Sequence, residues 1–332
     1  MKKILNDPQA YVDEMLEGLV AAHGEEWRRL GDGGRVIARA AGAVPGKVGI
    51  ATGGGSGHLP VFLGYVGDGL LDSCAVGNVF AGPRVDDCQA AMQVADGGAG
   101  VLQLYGNYGG DKMNFDMARE MLELEGMEVA SLRVADDVAS APAAERAKRR
   151  GVAGLVFAYK IAGARAAQGG TLAEVTAAAT KAAEACRSIG VALTPCTVPE
   201  SGKATFSIAE DEVEFGMGIH GEPGIWRGKL KTADALAGEM LERLLPELNV
   251  QRGSRVAVLV NSLGATPPEE LYILYRHVHR VLGDVGATPV MPLIGRYASS
   301  MEMAGASLTL MPLDSELEQL LKAPARTPFW RV

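Results

Sequence analysis

Two β-rich runs that end in glycine-rich loops constrain the fold of this chain more than any other feature. Residues 47–52 lead into Gly-Gly-Gly-Ser-Gly-His at 53–58, and residues 101–105 lead into Gly-Asn-Tyr-Gly-Gly-Asp at 106–111. A helical period follows the second loop and is carried by Met113, Met117, Met121 and Leu122. This alternation of strand, loop and helix predicts a parallel α/β sheet, in which ligands bind at the carboxyl ends of the strands.

The rest of the chain changes character after residue 190, where a stretch rich in Thr, Pro and Ser begins. With 332 residues, and roughly 100–200 residues per domain, two domains are expected, and we place their boundary near residue 188, giving 1–188 and 189–332. Periodicity and composition predict helices at 10–20, 152–167, 172–187, 233–245 and 268–282, and a strand at 256–260 with two more strands after 282.

Charge and composition exclude several classes of protein. The formal charge of −8 disfavours binding to nucleic acid and to anionic membranes. There is no apolar run of about 18 residues, and the amino end lacks an apolar signal stretch, so a cytoplasmic protein is predicted. The cysteines have no paired spacing and are interpreted as reduced core thiols: Cys74, Cys88, Cys186 and Cys196.

The two glycine loops carry candidate site residues. The glycines at 53–57 would let backbone N–H groups converge on an oxygen-rich ligand, although a tight turn would also need glycine. Asp111 ends the second loop, either as a helix N-cap or as a carboxylate that takes a proton from a substrate hydroxyl in the cleft of His58. The two roles are compatible. The chain shows no P-loop and no other recognisable nucleotide-binding element.

His220 is one of only five histidines, and it lies between glycines close to Glu222. Such a position does not suit a core-filling residue, which leaves a functional imidazole or a turn histidine held by a structural hydrogen bond. His58, Asp111 and His220 lack the spacing of a metal site, so no protein-held metal is predicted.

As a set, the motifs of this chain resemble the ketone-binding (K) subunit of dihydroxyacetone kinases, nearly from end to end. The stretch 214–224 is the most specific of them. The motifs that carry the resemblance are Gly-Gly-Gly-Ser-Gly-His-x-Pro (53–60), Gly-x-Val-Phe-Ala (77–81), Asn-Tyr-x-Gly-Asp with Asn-Phe just after (107–115), Arg-Arg-Gly-Val-Ala (149–153), Cys-Thr-Val-Pro (196–199), Glu-x-Gly-x-Gly-Ile-His-Gly-Glu-Pro-Gly (214–224) and Val-Asn-x-Leu-Gly-Ala-Thr-Pro (260–267).

The resemblance implies a fold and a set of residue roles. The fold would be α/β with two domains, the first with a mainly parallel sheet flanked by helices and the second a smaller α/β sandwich with a mixed sheet. By position, His220 would add to the substrate carbonyl as a hemiaminal, and Asp111 would act as the base for the hydroxyl that receives phosphate. His58 would hydrogen-bond the substrate, and the backbone of Gly55 would contact it. Covalent capture would position a ligand that offers few binding contacts.

The resemblance also implies partners. In the family the phosphoryl donor, ATP or a recharged ADP, occupies a separate helical domain, so this chain would carry no cofactor itself. ATP or ADP with Mg²⁺ is expected on a separate nucleotide-binding donor subunit. The ketose-binding chain is expected to form a homodimer and to act in glycerol metabolism.

One departure from the family concerns the substrate. Where the family usually has a lysine that contacts the ligand, this chain has Gly106, which removes a cationic donor and is expected to open volume beside the ligand. The substrate is therefore either dihydroxyacetone or a larger ketose such as the four-carbon erythrulose. A non-catalytic ketose sensor is the alternative function, and an unrelated α/β hydrolase or phosphatase is a third. Asp111 favours the kinase, because a sensor needs no base.

Overall fold

The computed structural model describes residues 2–332. The strands of the first sheet are β1 (Trp27–Leu30), β2 (Val36–Arg39), β3 (Gly49–Gly55), β4 (Ser73–Gly77), β5 (Val101–Gly106) and β6 (Val129–Val134). Their order is β1-β2-β4-β3-β5-β6, with β4, β3, β5 and β6 parallel and the β1–β2 edge antiparallel. The predicted parallel sheet is confirmed. The glycines at 53–55 continue β3 instead of forming a loop, so the first loop begins at Ser56, and Gly106 likewise ends β5. Both loops lie at the carboxyl ends of these neighbouring strands.

Helices cover both faces of this sheet: α1 (Tyr11–Ala22), α2 (Val85–Ala95), α3 (Gly109–Leu124), α4 (Leu155–Ala167) and α5 (Leu172–Ala185). On β5, Val101 and Tyr105 pack into the core shared with α2 and α3, whereas Leu102 and Leu104 pack into the core shared with α4 and α5. Side chains alternate across a strand, so a strand covered on both faces must be apolar along most of its length. This explains the short apolar run that identified β5 in the sequence.

The second sheet is mixed, as the resemblance implied. Its strands are β7 (Arg187–Ala192), β8 (Glu212–Phe215), β9 (Trp226–Lys229), β10 (Arg255–Ser262), β11 (Thr288–Gly295) and β12 (Gly305–Leu313), in the order β11-β10-β12-β7-β8-β9. β10 and β11 are parallel, and the remaining neighbours are antiparallel. Its helices are α6 (Ala233–Leu244), α7 (Pro268–Asp284) and α8 (Ser315–Lys322). The helix predicted to reach residue 187 ends at Ala185, because Arg187 begins β7.

The chain changes sheets between β6 and β7, close to the predicted boundary at residue 188. The two halves nevertheless share a core, in which Val156 of α4 and Leu259 of β10 belong to one apolar cluster. The carboxyl-terminal segment also returns to the first half, where Trp330 packs edge-on against Tyr65 with ring centroids 5.9 Å apart. The division into domains 1–188 and 189–332 stays a prediction.

A buried ion cluster links the segment before α4 to the second half. Glu247 accepts two hydrogen bonds from Arg149, at 2.6 and 2.7 Å, and a third from Arg187 at 3.0 Å. The side chains of Arg149 and Arg187 are only 1% and 5% exposed. Removing the carboxylate would therefore leave two guanidinium groups buried without their counter-charge.

We expect Glu247→Ala to lower the free energy of unfolding by about 3 kcal/mol, at the lower end of the cost of breaking a buried pair because Glu247 itself is partly exposed. Urea denaturation at equilibrium measures it. The control is Lys181→Ala, whose ion pairs with Asp314 and Glu316 are half-exposed, and which should change stability by less than about 1 kcal/mol. Equal effects of the two variants would contradict this assignment.

Candidate active site

Three of the candidate side chains, drawn from both halves of the chain, meet at the carboxyl edge of the first sheet. His58 lies at the end of the glycine loop after β3, and Asp111 lies in the first turn of α3, after β5. His220 comes from the loop between β8 and β9. The imidazole rings of His58 and His220 are edge to face, with centroids 4.7 Å apart. The sequence placed His58 and Asp111 in one cleft, and the structure brings His220 to the same place.

His58 is a neutral imidazole with a free lone pair. Its side chain is fully buried, and Nδ1 lies 2.7 Å from the carbonyl oxygen of Ser299. A carbonyl can only accept, so Nδ1 carries the proton and Nε2 does not. Within residues 2–332, Nε2 is buried with no hydrogen-bond partner. Burial, together with the nearby His220, lowers the pKa of His58 to about 3. Nε2 can therefore accept a hydrogen bond from a ligand hydroxyl.

Glu222 orients the imidazole of His220. One carboxylate oxygen lies 3.2 Å from Nδ1, and the other accepts the backbone N–H of His220 at 3.0 Å. Burial opposes ionisation of Glu222, but the hydrogen bond and charge of His220, with a smaller contribution from Arg150, bring its pKa down to about 2. An ionised carboxylate can only accept, so Nδ1 carries the proton and the lone pair of His220 is on Nε2.

Aromatic rings enclose His220 on its other sides. Tyr108 packs edge to face against it with centroids 4.6 Å apart, and Phe80 does the same at 5.6 Å. Phe80 also stacks on His58 at 4.9 Å. Both aromatic residues lie in motifs that the sequence analysis quoted, yet neither received a role there. The available signal was the glycines within a few positions, Gly77 and Gly82 around Phe80 and Gly106 and Gly109 around Tyr108.

The segment 299–301 ties the two histidine loops together. Besides holding His58, Ser299 donates from Oγ to the carbonyl of Leu59 at 2.8 Å, and the N–H of Met301 donates to the carbonyl of Gly57, also at 2.8 Å. The hydroxyl of Ser300 donates to the carbonyl of Ile219, next to His220. The sequence gave no local signal for these contacts, because the paired residues are about 80 to 245 positions apart.

Asp111 is not a helix N-cap. The N-cap of α3 is Tyr108, and Asp111 is the third residue of the helix. The capping alternative is therefore wrong, and capping does not account for an aspartate here. Burial raises the pKa of Asp111 to about 6, while the positive charge that His220 can carry opposes that rise. A carboxylate near His220 with such a pKa can take up a proton at neutral pH.

Within the described residues, 2–332, no group of three or more His, Cys, Asp or Glu side chains is arranged to hold a metal ion. The same part of the chain has no helix that is both long and apolar enough to cross a bilayer. Its four cysteines are buried and free, as expected.

The residues that meet at this edge lie in sequence motifs of a known family. A family model described as the Dak1 domain matches residues 17–329. The chain belongs to this family. It is 44% identical over 331 residues to the PTS-dependent dihydroxyacetone kinase 1, dihydroxyacetone-binding subunit DhaK, of Listeria innocua, covering 99% of this chain and 100% of the relative.

Two longer proteins are also similar to this Dak1 chain. D-erythrulose kinase of Mycolicibacterium smegmatis is 42% identical over 331 residues, which is 100% of this chain but 57% of that protein. The crystal structure of the dihydroxyacetone kinase of C. freundii in its native form superposes with a TM-score of 0.91 at 32% identity, over 99% of this chain and 60% of that one. The fold is thus shared with kinases that have a further region.

The two candidate glycines of the Dak1 chain differ in their surroundings. A Cβ on Gly55 would lie 2.5 Å from the carbonyl oxygen of Val79, so the close approach of the following loop requires glycine there. A Cβ on Gly106 would lie 3.2 Å from the ring of Tyr108. The Cβ position itself is therefore not open, because the Tyr108 ring and the carbonyl oxygen of Gly151, at 3.3 Å, pack against it; extra volume beside the ligand stays a prediction.

Proposed function

We propose that this chain is the substrate-binding subunit of a short-ketose kinase, with dihydroxyacetone as its substrate type, and that His220 captures the carbonyl. The observation that carries the proposal is the arrangement of His220: its Nδ1 is held by an ionised Glu222, and its Nε2 lone pair is free beside His58 and Asp111. An unprotonated imidazole nitrogen with its lone pair in the ring plane, in a partly enclosed site, is a nucleophile for a ketone.

Capture would proceed by addition of His220 to the ketone. Nε2 forms a bond to the carbonyl carbon, the π electrons move to the oxygen, and the oxygen takes up one proton from the solvent to give a hemiaminal with a cationic imidazole ring. The positive charge left on the imidazole is paired with the carboxylate of Glu222, which lies at 3.2 Å from Nδ1. Glycerol has no carbonyl and cannot be captured, so the site would select ketones over polyols.

Phosphorylation would use the other two groups. The Nε2 of His58 accepts a hydrogen bond from a ketose hydroxyl, which orients the captured ligand. Asp111 removes the proton of the terminal hydroxyl as that oxygen attacks the phosphoryl group, and its pKa of about 6 suits a base at neutral pH. The presence of this base near His220 supports a kinase subunit rather than a ketose sensor.

The phosphoryl group would come from a separate helical subunit that holds ATP or ADP with Mg²⁺. The longer relatives support this arrangement. This chain covers 57% of the related D-erythrulose kinase, so that kinase has a further region beyond the part matched here. The proposal also includes a homodimer of this chain in the cytoplasm, acting in glycerol metabolism. A related D-erythrulose kinase makes erythrulose the second candidate substrate.

Nuclear magnetic resonance with ketose labelled by ¹³C at the carbonyl carbon tests this function. The labelled carbon of bound dihydroxyacetone should move from the ketone region to that of a tetrahedral carbon, and unlabelled glycerol in excess should not displace it. Phosphorylation of dihydroxyacetone and erythrulose is then compared with a donor subunit present. Dihydroxyacetone that binds while its carbonyl carbon stays trigonal would contradict capture, and binding without turnover with every donor would support the sensor.

A further inference from the structure

A ring packed against the space beside Gly106 gives Tyr108 a part in substrate selection. The imaginary Cβ of Gly106 lies 3.2 Å from Cε2 and 3.3 Å from Cδ2 of Tyr108, so even an alanine would press on this ring. The local backbone conformation sets the position of the Tyr108 ring. The N–H of Tyr108 donates to the carbonyl of Gly106 at 2.9 Å, which turns the chain back on itself.

The residue between them holds this turn in place. The side-chain amide of Asn107 donates to the carbonyl of Arg149 at 2.7 Å and to that of Ala147 at 3.0 Å, and its backbone N–H donates to the carbonyl of Val134 at 3.0 Å. Hydrogen bonds to two neighbouring segments therefore fix the backbone from which the ring of Tyr108 projects.

The same ring contacts the nucleophile. Its plane is 85° from that of His220, with centroids 4.6 Å apart, which is a favourable edge-to-face geometry. Glu222 fixes which nitrogen of His220 carries the proton, and the Tyr108 ring limits rotation of the imidazole about its bond to Cβ. Together they define where Nε2 points.

The hydroxyl of Tyr108 takes no part in this arrangement. Within residues 2–332 it is buried with no hydrogen-bond partner. Burial, followed by the charge of Glu222, raises the pKa of Tyr108 well above its usual value, so the phenol stays neutral. Substitution can therefore separate the two parts of the side chain, because phenylalanine keeps the ring and removes only the hydroxyl.

We infer that Tyr108 is a positioning residue for His220 and the wall that limits ketose length beside Gly106. The inference rests on the proposed function. The wall favours a three-carbon ketose, and its removal would leave an empty space flanked by His220 and Gly106 that a four-carbon ketose could use.

The experiment measures kcat/KM for dihydroxyacetone and erythrulose, with a donor subunit, in Tyr108→Phe and Tyr108→Ala. Tyr108→Phe should stay within about 3-fold of the native protein for both ketoses, because it keeps the ring and removes only an unpaired hydroxyl. Tyr108→Ala should shift the ratio of the two kcat/KM values toward erythrulose by about tenfold or more. A purely structural role would lower both values equally and leave the ratio unchanged, which would overturn the inference.

A double-mutant cycle with Gly106→Ala tests the contact itself. In the native background the added methyl presses on the ring of Tyr108 and should weaken dihydroxyacetone capture by about 5-fold or more, whereas in Tyr108→Ala the effect should be clearly smaller, because only the contact with the carbonyl oxygen of Gly151 at 3.3 Å remains. The same effect in both backgrounds would show that Tyr108 is not what Gly106 accommodates. Tyr272→Ala, on the exposed face of α7, controls for loss of a tyrosine, and thermal unfolding shows which variants are folded.

The ¹³C signal separates the two proposals. If the native protein forms no tetrahedral adduct, the proposed function fails. If it forms the adduct, but neither the ketose ratio nor the coupling with Gly106 changes, only the role of Tyr108 fails.

Discussion

His220→Ala is expected to abolish ketose capture and to lower kcat/KM for phosphorylation by at least about 10³-fold. Its imidazole is the group that would bond the substrate, and without it a six-heavy-atom ligand is left with a few hydrogen bonds. The ¹³C signal of a tetrahedral carbon should disappear, and turnover should remain at the background level at any practical ketose concentration. The fold should be retained, because His220 is partly exposed and lies in a loop.

His279→Ala is the matched control, since this histidine is exposed on α7, which packs against the second sheet. It should leave capture and turnover unchanged. If His220→Ala still formed the adduct, or still supported turnover at the native rate, the nucleophile would have to be another group. His58 is the nearest alternative, with its ring centroid 4.7 Å away.

Asp111→Asn is expected to lower kcat by about 10²–10⁴-fold while ketose capture persists. The amide keeps the size of the side chain but cannot take the hydroxyl proton. Activity of the native protein should fall as the pH drops through about 6, because the carboxylate must be ionised to act as the base and its pKa is raised to about 6. This acid limb should be absent from the residual activity of Asp111→Asn.

Stability should change in the opposite direction. A carboxyl group whose pKa is higher in the folded protein than in the unfolded chain binds its proton more tightly when folded, so stability is lost as the pH rises from the ordinary carboxyl pKa of 3.8 to about 6 and stays lower above that pH. Asp111→Asn should therefore be at least as stable as the native protein at neutral pH, by urea denaturation. Asp116→Asn, five residues further along α3, is the control and should change neither turnover nor the pH profile. A native-like kcat in Asp111→Asn would exclude Asp111 as the base.

The local features of the site could be predicted because they depend on short segments. A strand followed by glycines places a loop at the carboxyl edge of a parallel sheet, and two such loops on neighbouring strands place His58 and Asp111 at one edge. The glycines around His220 indicated that this histidine does not fill the core. Both conclusions follow from backbone geometry, which neighbouring residues largely determine.

Other features could be read only from the tertiary structure. The helical period predicted α3 but not its first residue, so Asp111 could be mistaken for a cap. The absence of a side chain at Gly106 suggested open space, but only the fold shows that the Tyr108 ring packs there. Likewise, Ser299 is 241 positions from His58, and no local pattern predicts that its carbonyl selects the tautomer of that histidine.

The sequence by itself therefore determined the family, the class of sheet and the carbonyl-reactive histidine as a candidate. The tertiary structure decided which nitrogen of each histidine carries its proton, the raised pKa of Asp111 and what lies against the Gly106 position. The physical reason is that strand and helix periods are set by neighbours along the chain, whereas desolvation and hydrogen-bond partners depend on groups that only packing brings together.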